Sequence, residues 1–148
     1  MKRSLACLMG ILALGSCDKA SNPAAPTVSP PALAAAHNSI TLVTQIDFSE
    51  FPFRGTFVVT EGAAALGCSA GTFVDTPTGA AIRKDFTCTA GGEGSFTFLF
   101  RPGTGNNWNV LTGSGDFSGL HGTGEFALAC CVGDTGTETF TGTIHYAP

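Results

Sequence analysis

The sequence predicts an all-β domain, a small antiparallel up-and-down β-barrel of about eight strands, on three observations. Apolar residues recur at alternate positions through most of residues 39–148, and no stretch there repeats at helical spacing. Clusters of Gly, Pro, Asn and Asp interrupt that pattern about every ten residues, the interval expected of short strands joined by turns. The connections are also too short for crossover helices. Sequential hairpins therefore suffice, and pairing the last strand with the first would remove both exposed edges; a β-sandwich is the alternative.

The elements follow in order. Ile40, Leu42, Ile46 and Phe48 mark one face of a first strand, and Phe53, Phe57 and Val59 one face of a second. "TFVD" at 72–75 is a short third. Residues 81–89 meet "AGGEG" and are followed by "SFTFLFR", with Phe96, Phe98 and Phe100 on one face: a hairpin by its turn chemistry. "RPGTGNN" breaks the chain before "WNVLTGSG". The last two strands, 125–132 and 137–146, are joined by "GDTG".

Ahead of this domain, Met1-Lys2-Arg3 is followed by an apolar run of signal-peptide length, too short to span a membrane as a helix. It ends in Leu14-Gly15-Ser16-Cys17, which resembles the lipobox of bacterial lipoproteins. The resemblance implies a signal peptide over 1–16, lipidation of Cys17 and a membrane anchor in the cell envelope. The alternative is an ordinary export signal cut later, near "ALAAA". Residues 18–38 carry four of the eight prolines with Ala and Ser and almost no large apolar side chain, so 17–38 reads as a lipidated cysteine and tether. His37 lies in it with no assigned role.

Loss of Lys2 and Arg3 would leave five basic against eleven acidic side chains, a net charge of −6. No basic cluster exists to neutralise phosphates, so nucleic acid is not an expected partner. The one adjacent basic pair of the domain, Arg83-Lys84, reads as a solvated strand edge.

The glycines of "GSGDFSGLHGTG", residues 113–124, invite a phosphate-loop reading. Ser118 stands where a third dinucleotide-motif glycine belongs, no GKS or GKT follows, and no helix is in sight. They are expected to mark bulges, corners and close backbone packing instead. The run Gly-Ser-Gly-x-Phe-x-Gly-x-x-Gly, preceded by Trp108 and Val110, resembles the strand-turn-strand of the allene oxide cyclase and dirigent barrels and of similar secreted bacterial proteins. That resemblance implies an eight-stranded barrel with an apolar interior. No catalytic residue of the plant enzymes maps onto this chain.

"GCSAG" at 67–71 fits the nucleophile-elbow pattern, but the elbow needs a parallel sheet and a following helix; Ser69 reads as part of a loop beside a disulfide cysteine. Asp116, His121 and Glu125 could meet at one barrel end, yet no metal-ligand spacing is present, and neither metal nor cofactor is expected. His145 alternates against Ile144 and Tyr146 and reads as a surface residue.

Removal of the signal and lipidation of Cys17 leave four cysteines, with three connectivities. Pairing of Cys68 with Cys88 is favoured. It leaves Cys130 with Cys131, strand neighbours that point to opposite faces, so a vicinal bond would need a distorted backbone, and free or crossed thiols stay open. Two functions are carried forward. The first is a non-enzymatic, lipid-anchored envelope barrel that binds a small apolar ligand in a cavity lined by Phe96, Phe98 and Trp108, or an envelope partner. The second is a cyclase or isomerase, which requires a polar group inside the cavity beside an apolar wall.

Overall fold

The computed structural model describes residues 36–147. The signal segment, Cys17 and most of the tether lie outside the described residues. Eight strands form one closed antiparallel barrel in chain order: β1 (Asn38–Asp47), β2 (Arg54–Glu61), β3 (Cys68–Thr78), β4 (Ala81–Gly91), β5 (Gly94–Arg101), β6 (Asn107–Gly115), β7 (Leu120–Val132) and β8 (Thr135–Tyr146). The expected barrel, rather than the sandwich, is what the chain adopts. Its seam is the pairing of β1 with β8, in unbroken register from Asn38 opposite Ile144 to Asp47 opposite Thr135.

The third and seventh strands run well beyond their apolar patterns. The third extends from "TFVD" to the whole of β3, and β7 begins at Leu120, inside the glycine-rich stretch. Backbone pairing continues where side-chain alternation fades, because ladder hydrogen bonds do not depend on what the side chain is. One turn of helix, α1 (Ala63–Leu66), was not foreshadowed by any periodicity; it lies between Gly62 and Gly67, both in the left-handed region, and buries Leu66.

The antiparallel order gives the barrel two distinct ends. One holds the start of β1, α1, the 92–93 and 116–119 turns and the end of β8. The other holds the 48–53 loop and the 79–80, 102–106 and 133–134 connections. At the first end Phe117 turns inward from the β6–β7 connection and is fully buried, and the Tyr146 hydroxyl donates to the Leu66 carbonyl at 2.8 Å.

The glycine-rich stretch thus occupies the end of β6, a tight turn and the start of β7, with no helix behind it. Gly115 and Gly119 have φ of 62° and 75°, where a Cβ is disfavoured. Gly124 serves close approach instead: a Cβ there would collide with the Thr141 carbonyl across the β7–β8 pair.

Candidate functional site

The lumen is filled. Nine of the twelve phenylalanines are buried, and those facing inward from β2, β4 and β5 pack ring on ring. Phe86 contacts Phe57, Phe96 and Phe98 at centroid distances of 5.1, 4.9 and 4.9 Å. Phe98 in turn stacks on Trp108 at 4.3 Å. The indole N–H is satisfied by the carbonyls of Glu125 and Thr141, at 3.0 and 3.1 Å. Gly142 makes the room: a Cβ there would stand 2.8 Å from the indole ring. Phe96, Phe98 and Trp108, expected to line a ligand cavity, therefore fill one another's space, as side chains do in small eight-stranded barrels. Clefts lie at the two ends of the barrel, one lined by Leu66, Asp116 and Tyr146 and the other by Gln45, Cys131 and Thr137.

A charged cluster sits in the same interior, nearer the 48–53 loop. Lys84 on β4 is 0% exposed, its ammonium 2.8 Å from Asp75 Oδ1 on β3 and 2.8 Å from Glu138 Oε2 on β8. It donates to Asp75 Oδ2 at 2.9 Å, and the Thr44 hydroxyl on β1 donates to Glu138 Oε2 at 2.8 Å. Asp75 Oδ1 faces the charge but lies out of line for a hydrogen bond. The Phe73 ring covers the ammonium at 3.6 Å, a cation–π contact inside the wall. Burial pushes the Asp75 carboxyl up to about 6, with Lys84 pulling the other way.

This overturns the solvated-edge reading of Arg83-Lys84. Adjacent strand residues face opposite sides, so one of the two had to point inward. Arg83 is the outward one, paired with Asp85 at 2.7 Å, while Lys84 is in phase with buried Phe86. The sequence carried the signal: Asp75 is in phase with Phe73, and Glu138 with Phe140. A charge at an inward place of an alternating pattern marks a buried ion or a break in the strand.

The other candidates lie apart. Asp116 accepts the Glu93 N–H at 2.9 Å, and Glu125 lies four residues beyond His121 along β7, so the three do not assemble. Ser69 donates to the Ala90 carbonyl at 3.0 Å within the β3–β4 pair, a wall position and not an elbow. His121 and His37 flank His145, with ring centroids 5.3 and 4.4 Å from it. Burial and these two neighbours hold the His145 imidazole below its ordinary pKa. Cys68 and Cys88 are bonded at 2.04 Å, tying β3 to β4 as expected. Cys130 and Cys131 are joined to each other at the far end of β7. No known protein family and no curated protein matches this chain in sequence.

Proposed function

We propose that the chain is an exported, lipid-anchored envelope protein whose barrel is a rigid platform, engaging an envelope partner through its outer surface rather than enclosing an apolar ligand. The observation that carries this reading is the filled lumen: with Phe96, Phe98 and Trp108 at 1% exposure or less, an entering ligand would have to displace the core. The anchor rests on the resemblance of Leu14-Gly15-Ser16-Cys17 to a lipobox, and the tether on the composition of 18–38. Phe51, 68% exposed, and Val132, 86% exposed, lie at the barrel end opposite the start of β1, as apolar contacts a partner would cover.

A second reading, acid–base isomerisation of an apolar substrate, is favoured by one observation, the Lys84–Asp75–Glu138 cluster beside phenylalanine rings. It requires the lumen to open. Titration of the folded domain with a fluorescent apolar probe separates the two. The platform reading expects no saturable enhancement; a saturable site lost in Phe98→Trp would favour the isomerase. Anchoring is tested independently by metabolic labelling with a clickable palmitate, which Cys17→Ser should abolish and which, if undiminished, sinks the lipoprotein reading.

A further inference from the structure

The two cysteine pairs differ in what they hold. Cys68–Cys88 spans a sequence separation of 20, joins two strands and has one partner, Cys68, 1% exposed. Such a cross-link removes conformations from the unfolded chain. Cys130–Cys131 spans a separation of 1. It closes no loop, so it restrains neither the folded nor the unfolded chain at long range. Both cysteines are exposed, at the rim of the barrel.

The backbone bends to present them. Ala129 pairs with Thr137 and Val132 with Thr135, so two residues of β7, Cys130 and Cys131, stand opposite the single residue Gly136 of β8. That is a β-bulge, the device by which a strand re-aims side chains that would otherwise face opposite sides. Beside it is a cleft of about 440 Å³ whose lining includes both cysteines with Gln45, Thr135 and Thr137, neutral polar side chains and no cation.

We propose that Cys130 and Cys131 form a two-electron thiol–disulfide exchange site for small uncharged aliphatic dithiols. The chemistry balances without further components. A thiolate of the dithiol attacks one cysteine sulfur, the Cys130–Cys131 bond breaks, and its electron pair leaves on the other sulfur, which takes a proton from water. The second thiolate of the reagent then attacks the mixed disulfide and releases the first cysteine. The protein gains two electrons and two protons, and the dithiol leaves as a cyclic disulfide. The adjacency of the two thiols keeps the reverse reaction intramolecular, so the site can recycle. This inference does not depend on the lipid anchor or on a surface partner.

The test uses the full chain under non-reducing conditions, with dithiothreitol as the dithiol, acid quenching, alkylation and peptide mapping. Cys130 and Cys131 should be alkylated at a rate at least about ten-fold above Cys68 and Cys88, given their unequal access. Each chain should oxidise one equivalent of dithiol, the pair should re-form when an oxidised cyclic dithiol is added, and the melting midpoint should not move between the two forms. The Cys130→Ser/Cys131→Ser double variant should lose that equivalent and keep the wild-type midpoint. Reduction of both pairs at one rate, a fall in midpoint on reducing 130–131 alone, or free thiols that fail to re-close would each overturn the proposal; these measurements on the wild-type chain decide it even where the variant does not fold.

Discussion

The lumen divides into two regions that are equally buried and held by different physics. Toward the start of β1 it is aromatic: Phe57, Phe86 and Phe96 touch one another, Phe117 packs on Phe96, and Phe98 links Phe86 to Trp108. Toward the 48–53 loop it holds one cation between two carboxylates, with Thr44 completing the set. Apolar burial is additive and non-directional, so the aromatic region loses stability in proportion to the atoms removed. The ionic region is conditional. Its three charges have lost most of their hydration, and their mutual attraction offsets that loss only while all are present.

The largest effect should come from breaking that condition. Lys84→Met leaves Asp75 and Glu138 facing each other without a cation, and chemical denaturation should show a loss of about 3–5 kcal/mol. Adding Asp75→Leu and Glu138→Leu should recover most of it, since an apolar replacement of a whole buried ion set is often neutral. A triple variant as unstable as Lys84→Met would show that the cluster specifies the fold beyond its charge balance.

The next effect is smaller and needs no mutation. Because the Asp75 carboxyl is raised to about 6, the folded state binds its proton more tightly than the unfolded chain does. The associated stabilisation is present in full below the ordinary aspartate pKa and is lost as pH rises through about 6. The free energy of unfolding should fall across that window by about 3 kcal/mol, and Asp75→Asn should flatten that part of the profile. The smallest effect belongs to the aromatic region. Phe98→Leu keeps the position apolar and should cost about 1–2 kcal/mol with no pH dependence. A loss as large as that of Lys84→Met would erase the distinction between the regions.

The barrel itself was legible because alternation and turn chemistry report directly on strands and their order. Phe96, Phe98 and Phe100 face inward as their spacing requires. Whether they line a cavity or fill one is not a property of any strand, since it depends on how far side chains from opposite walls reach. Lys84 was misplaced for a different reason: composition argues that lysines are solvated, and here phase overrode composition. Asp75 and Glu138, which supply the compensation, lie 9 residues before and 54 residues after it in the chain, so no local pattern could pair them. The Cys130–Cys131 bond stayed open because a bulge depends on both strands' register, and "ALACCV" shows only one.

The seam between β1 and β8 carries a consequence for biogenesis. Its ten-residue register joins 38–47 to 135–144, so the two strands that close the barrel are the first and the last of the eight to be synthesised. Contacts of such long sequence separation slow folding, because the intervening chain must be confined before they form. A chain emerging N-terminus first can build hairpins, yet it cannot bury Lys84 with all its partners until Glu138 has appeared. Until then Lys84 has Asp75, its neighbour across the β3–β4 hairpin, without the second carboxylate. Commitment to the final shape therefore waits for the strand that carries Glu138.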